Sequence, residues 1–364
     1  MKFKKKKNYV GVLSSVFAIF IGLMVGLVVL LLCNPSQALP GFATILSGAF
    51  THGMRGVGQV FYYATPIILT GLSVGFAFKT GVFNIGTPGQ FIMGGFGAVY
   101  VGIMWDQLGP VHWAAALLAA VVMGALWGLV PGVLKAYFNV NVVISCIMMN
   151  YIGMYLVNWV VRSYKPLFNT LRNESKNVAA TAVIPKMGLD KVFPGSSVNG
   201  GIIIAILVVL LIYVILEKTI FGYELKAVGY NQDAGKYAGI NEKRNVVLSM
   251  MIAGAIAGLA GGLLYLAGTG KHIEIKDVLA SEGFTGISVA LLGLSHPVGV
   301  LFAGLFIAYL TAGGFYLQLF EFSTEIIDII VAVIIYFSAF ALIVKTLLGK
   351  FKDKKAGKEG GNET

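Results

Sequence analysis

Charge is scarce in this sequence. Only 12% of its 364 residues are Asp, Glu, Lys or Arg, about half the ~25% of a soluble globular chain, and a soluble domain is excluded. There is no matching shortage of apolar residues: 57% are hydrophobic and the mean hydropathy is +0.83, which excludes a disordered chain. Cysteine is limited to Cys33 and Cys146, in or beside apolar runs, with neither a disulfide framework nor metal-ligand spacing. Three leucines precede Cys33, where a lipid-modified cysteine needs a small residue. The four histidines, His52, His112, His272 and His296, are scattered, so no metal site and no enzyme are expected. Acids are nearly missing from the apolar runs, Glu325 and Asp328 standing at the start of the last one. Ion-driven carriers usually keep such groups inside the bundle. The nearest thing to a phosphate loop, Gly268-Thr269-Gly270-Lys271, lacks the earlier glycine and the following Ser or Thr. This chain therefore hydrolyses no ATP by itself and carries no cofactor of its own.

Long hydrophobic runs and glycine are what it has. Glycine is 47 of 364 residues, about 13% against a usual ~7%, and is frequent in membrane helices. Runs able to cross the bilayer occupy roughly 9–33, 57–79, 89–105, 112–134, 142–163, 199–217, 247–268 and 324–348, each near the ~20 residues that span hydrocarbon. The first is too long for a signal-peptide core of about 7–15 residues, so an uncleaved helix is expected there despite a possible cleavage point after Ala38. A ninth stretch, 284–313, is interrupted by Ser295-His296-Pro297; too long for one span and too short for two, it reads as a re-entrant pair of half-helices. The fold class is all-α: a polytopic membrane protein with about eight full transmembrane helices plus one re-entrant half-helix hairpin, ten membrane elements in all.

The net charge of +11 orients it. Eighteen of the 27 basic residues lie in segments 1–7, 218–246 and the tail from Lys345, or at Lys79 and Lys135. This positive-inside asymmetry predicts cytoplasmic N- and C-termini. Trp105, Trp113 and Trp159 then fall near the outer interface, as an aromatic belt. The resulting organisation is a basic cytoplasmic N-terminus (1–8), a transmembrane domain (9–348) and a polar cytoplasmic tail (349–364). The transmembrane domain includes an external loop (164–198), a docking surface or a plain connection, and a cytoplasmic loop (218–246). No nucleic-acid partner is needed to explain the charge.

Inside the membrane the remaining polarity is neutral: Asn84, Thr87, Gln90, Ser145, Asn150, Tyr151, Asn158 and Ser288. Such groups can trade hydrogen bonds with an uncharged hydrophilic solute without the cost of burying charge; the plain alternative is helix–helix glue, preferred for Asn158 and Ser145. In Gly81–Gln90, Thr87 can cap the next helix, Pro88 suits its first position and Gln90 completes a capping box. Asn84 is left to present donors to a solute. His296 reads as a helix-start residue or a solute contact. In 218–246, Asn231 reads as an N-cap and Gly239 as a C′ stop around a helix of about seven residues. So short a helix needs something packed on Ala234, Tyr237, Ala238 and Ile240, either a cytoplasmic partner or its own bundle. A short internal similarity relates Thr70-Gly71-Leu72-Ser73-Val74 to Thr285-Gly286-Ile287-Ser288-Val289, each followed by a Gly/Pro-interrupted stretch of the kind that marks transport sites.

Four ordered segments, GVFNIGTPGQ (81–90), NVVISCIMMNYI (141–152), LKAVGYNQDAGKYAGIN (225–241) and GISVALLGLSHPVGV (286–300), carry a family resemblance. The chain resembles permease subunits of ATP-binding-cassette importers of the branched-chain amino acid and simple-sugar superfamily, nearest the nucleoside branch that works with a basic-membrane-protein lipoprotein. The resemblance implies a cytoplasmic ATP-binding subunit that holds ATP and magnesium. It also implies a second permease subunit, forming a heterodimer, and a substrate-binding lipoprotein. Gly229, Asn231, Ala234, Tyr237, Ala238, Gly239 and Ile240 would form the element the ATPase pushes. The family commonly has acids where this chain has Pro88 and Val142, so a charge-based role at those positions is absent.

The expected function is import of a neutral polar solute, foremost nucleosides, driven by a separate ATPase. Asn84, Thr87, Gln90, Asn150, Ser288 and His296 are the expected pathway residues. Simple-sugar import is the alternative within the superfamily; a secondary carrier or a channel without an ATPase is the alternative outside it.

Overall fold

The structure, a computed structural model, describes residues 9–339. The basic N-terminus 1–8, the end of the last apolar run and the tail 349–364 lie outside the described residues. In chain order the helices are α1 (Tyr9–Cys33), α2 (Ala38–Thr51), α3 (Gly53–Lys79), α4 (Thr87–Met104), α5 (His112–Phe138), α6 (Val142–Ser163), α7 (Leu189–Val192), α8 (Gly201–Lys218), α9 (Ile220–Tyr230), α10 (Gln232–Tyr237), α11 (Glu242–Tyr265), α12 (Ser281–Leu292), α13 (Pro297–Phe315) and α14 (Thr324–Ala339). The only strands among the described residues, β1 (Phe168–Asn169) and β2 (Glu174–Ser175), make a small antiparallel hairpin. Six helices among the described residues are long and apolar enough to cross a membrane: α3, α5, α6, α8, α11 and α13, two of them prolonged by 3-10 turns. The protein is an all-α polytopic membrane protein.

Ala49–Tyr309 form one compact unit, and the residues on either side form a second. In the second, α1 packs along α14, with Gly26 against Ile330, and Gly41 of α2 lies under Phe322 and Leu317. In the larger unit the most extensive helix contact joins α5 to α11. Gly124, Gly128 and Gly132 recur every fourth residue on α5, and Gly254, Gly258 and Gly262 do so on α11. Backbone meets backbone along this antiparallel crossing: any side chain on Gly124 would run into Gly254 and Gly258. In lipid, where apolar burial does not drive helices together, such close approach supplies the packing. α4 lies on the next face of α11, parallel to it, with Gly94 on Gly258 and Gly102 against Leu266.

Helix ends at one end of this unit are set by short polar side chains. Asn141, Thr219, Asn231 and Asn241 accept backbone N–H bonds of 2.9–3.0 Å from Val143, Gly222, Ala234 and Arg244, starting α6, α9, α10 and α11. Asn139 (φ 52°) closes α5 and Gly239 (φ 78°) closes α10, so the expected N-cap and stop around α10 are found.

Three expectations are corrected. The segment 218–246, read as a loop with one short helix, also contains α9, eleven residues long. α2 was not anticipated: its 14 residues span only ~21 Å and carry Pro40 and two glycines, which mask the apolar run. The interrupted stretch is not a pair of half-helices confined to 284–313: its second arm is long enough to cross the membrane. α12 has 12 residues and α13 has 19, about 18 Å and 28 Å, because α12 begins only at Ser281 while α13 runs unbroken from Pro297.

Candidate translocation site

The bend between α3 and α4 is built around one amide. Gly81, at φ 77°, turns the chain back after α3. Asn84 then accepts the Gly86 N–H at 2.9 Å through its own side-chain oxygen, an Asx turn. The N-cap of α4 is therefore Gly86. Thr87 is not the cap expected of it, because the Asx turn starts the helix one residue earlier; its hydroxyl reaches only the Asn84 carbonyl, at 3.5 Å. Nor does Gln90 close a capping box. Its side chain forms a reciprocal pair with Asn84: Asn84 Nδ2 donates to Gln90 Oε1 at 2.9 Å, and Gln90 Nε2 donates to Asn84 Oδ1 at 3.3 Å. From α6, Asn150 Oδ1 accepts the Gly89 N–H at 2.8 Å and Asn150 Nδ2 donates to the Ile85 carbonyl at 3.0 Å. Asn84, Thr87, Gln90 and Asn150 are all buried. The structure thus brings four of the six expected pathway residues into one neutral amide knot that ties the bend to α6. Buried groups of this kind must be paired, since each orphaned amide costs about 1–3 kcal/mol.

Ser288 and His296 lie apart from the knot, half-buried on α12 and at the α12–α13 break. The break is turned by Leu294 and Ser295 in the left-handed region (φ 55° and 53°), and the His296 ring meets Tyr213 edge-on at 5.9 Å. The two Thr-Gly segments pack on each other, Gly286 against Thr70 and Gly71 against Val289, while Gly283 seats α12 on Pro88 at the start of α4. Of the residues assigned to glue, Ser145 bonds back to its own helix at Asn141 and Val142, and Asn158 ties α6 to the carbonyl of Lys276 at 3.0 Å.

α9 and α10 sit beside the bend. Gly229 of α9 meets Gly81 backbone to backbone: a Cβ on Gly229 would lie 2.7 Å from the Gly81 nitrogen. This contact is invisible in the sequence, where the two glycines are 148 positions apart. Gly235 packs on Val228, whereas Tyr237 is 95% and Tyr230 88% exposed; Ala234 and Ala238 are exposed as well. Of the packing expected on α10, the chain itself half-buries Ile240 and leaves Ala234, Tyr237 and Ala238 uncovered.

Two cavities flank the knot along the same seam. The one beside α10, labelled inner for its nearness to the 218–246 segment, ~390 Å3, is bordered by Val82 and Phe83 of the bend, Val142 and Val143 of α6, and Gln232 of α10. The one on the opposite side of the knot, labelled outer, ~280 Å3, is lined by Ile92 of α4 and Met154 of α6 next to the knot, with Asn158, Tyr265 and Glu282 beyond them. On α6 the order is therefore inner cavity, Cys146 and Asn150, outer cavity. Sequence reasoning missed Tyr265 and Glu282, which carry no motif.

Residues 56–339 match the family of permease components of branched-chain amino acid transport systems. The chain belongs to this family. It is a translocation subunit of a transporter, a multi-pass protein of the cell membrane, and not an enzyme. A guanosine ABC transporter permease protein of Bacillus subtilis is 37% identical over 96% of this chain and 99% of its own length. A nucleoside ABC transporter permease protein of Lactococcus lactis is 33% identical, covering 95% of each chain. A glucose ABC transporter permease protein of Haloferax volcanii is 30% identical over 78% of this chain and 75% of its own. No solved structure matches the chain.

Proposed function

We propose that this permease imports nucleosides, energised by a separate cytoplasmic ATP-binding subunit. The observation that carries the reading is the buried Asn84–Gln90–Asn150 knot. A primary amide presents a donor beside an acceptor, the pattern that pairs with the edge of a nucleobase. A solute of that chemistry can replace the internal amide bonds one for one, with no charge moved into the membrane. The names borne by relatives that match nearly the whole chain agree with it. Asn84, Thr87, Gln90 and Asn150 then form the closed part of the pathway, and Ser288 and His296 its neighbouring wall.

The exposed Tyr230 and Tyr237 support a docking surface for the ATPase on α9 and α10, with Gly229, Asn231, Ala234, Tyr237, Ala238, Gly239 and Ile240 as its coupling element. A second permease subunit and a substrate-binding lipoprotein complete the machine. Eight crossings and the α12–α13 hairpin, with both termini in the cytoplasm, fit the basic-residue asymmetry; α2 is too short to alter the parity. The similarity to a glucose permease favours simple sugars as the second reading.

Uptake of labelled guanosine by cells expressing the complete transporter tests the function. Competition by other nucleosides and indifference to excess glucose are expected. Inhibition by glucose with none by nucleosides would replace the reading by the sugar one, and uptake that persists with an inactive ATPase would overturn the energetic half.

A further inference from the structure

The outer cavity has a composition that the gate beneath it does not explain. Its volume of ~280 Å3 falls just below the usual range of ligand cavities, about 300–1,000 Å3. Its charged lining is balanced, Lys271 and Lys276 against Glu274 and Glu282, which suits an uncharged occupant. Lys276 is engaged by Glu274 at 2.7 Å, whereas the half-buried Glu282 carboxylate receives only a 3.4 Å bond from the adjacent Ser281 hydroxyl. Asn158 has both amide hydrogens directed to the Lys276 carbonyl and Asp277, so its side-chain oxygen remains an acceptor. Tyr265, backed by Phe91 at 6.3 Å, adds an aromatic surface. The base of the cavity, Ile92 and Met154, lies one helical turn beyond Gly89 and Asn150 of the knot.

Resting on the nucleoside reading above, we propose that this cavity is the first binding station for a nucleoside in the chain. The base lies against Tyr265, the ribose hydroxyls donate to Glu282 and Asn158, and the amide knot below is the closed gate. A carboxylate takes a ribose hydroxyl in the same way in dinucleotide-binding folds, and an aromatic ring stacks on any base.

The test uses the assembled transporter, with ATPase, second permease and lipoprotein, carrying Ser281→Cys at an exposed lining position. A membrane-impermeant maleimide labels this thiol, with the unsubstituted chain, which retains Cys33 and Cys146, as background. Guanosine is expected to slow labelling at least ~3-fold and glucose to leave it unchanged. Adding Glu282→Gln, which keeps the shape but removes the charge-assisted acceptor, should raise the half-protecting guanosine concentration about tenfold, as loss of a bond of ~1.5 kcal/mol requires. 2′-Deoxyguanosine should lose less than guanosine, a difference that general destabilisation would not produce. An unchanged labelling rate in a transporter that still takes up guanosine overturns the station alone. Protection by glucose in place of guanosine, in a transporter that takes up glucose, overturns the nucleoside function together with the base-stacking chemistry.

Discussion

At the scale of single residues, the same side chains that look like solute contacts also hold the structure. Asn150 makes two buried bonds, to the Gly89 N–H and the Ile85 carbonyl. Asn150→Ala is expected to lower stability by about 1–3 kcal/mol because it orphans both groups; loss of monodisperse protein on heating a detergent extract measures it. Thr87→Val, which keeps the buried shape and loses one bond of 3.5 Å, should cost no more than about 1 kcal/mol, and an effect equal to that of Asn150→Ala would show that the knot is not the support. Asn84→Ala removes the Asx turn as well as the Gln90 pair, so its uptake must be compared per assembled complex. That Asn84 has a polar role at this break was legible in the sequence, where it reads as a donor to a solute; that its amide is bonded within the chain was not. That the partner is Gln90 was not legible either, because capping-box spacing and a reciprocal amide pair place a glutamine at the same position.

At the scale of elements, hydropathy located the long helices and missed those that are short or amphipathic. α9 alternates apolar and polar residues around Leu225 and Val228, the two large side chains it buries, and reads as loop when the search is for membrane runs. α10 was found because Asn231 and Gly239 punctuate it. Tyr237→Ala should leave folding intact, the side chain being 95% exposed, yet reduce recovery of the ATP-binding subunit and guanosine uptake together; normal values of both would remove α10 from the coupling surface. Gly239→Pro is a poorer probe, since φ 78° excludes proline whatever the role. Gly258→Leu should abolish accumulation of the folded protein, as α5 and α11 have no room for a side chain at that crossing. In the 271–280 connection, the Lys276 hydrogen bond holds the Glu274 carboxyl below its ordinary value of 4.5. The pair's contribution is complete above that value and disappears as the pH falls through the lowered one. Amide-exchange protection there, corrected for the intrinsic pH dependence of exchange, should fall only in acid.

At the scale of the whole molecule, the all-α multi-pass architecture read from the sequence is found in the structure, whereas the orientation is an expectation from charge alone. The distribution of 27 basic residues sets an expected topology with no structural information, because Lys and Arg in short loops near helix ends resist translocation. Accessibility of single cysteines to impermeant reagents in intact cells should place 164–198 outside and 218–246 inside; the reverse pattern would invert the coupling surface and end the ATPase assignment there. Mild-detergent purification should recover an ATP-binding subunit and a second permease with this chain, whereas isolation of the chain alone after crosslinking would favour a carrier or channel. The packing of one Thr-Gly segment on its counterpart, Gly286 on Thr70, was beyond reach, since a five-residue similarity says nothing of where two segments meet.

The contact between Gly81 and Gly229 sets a limit for anyone rebuilding this protein. Side chains act as cushions, absorbing small displacements by rotamer changes; two bare backbones pressed together have no such slack. A shift of α9 toward the bend that carries Asn84 therefore meets backbone, with no side chain between to absorb it. Grafting a foreign ATPase onto the transporter would have to redesign the tyrosine-rich outer skin of α9 and α10 while leaving position 229 as it is, because even a methyl group there would push the lever out of its bearing.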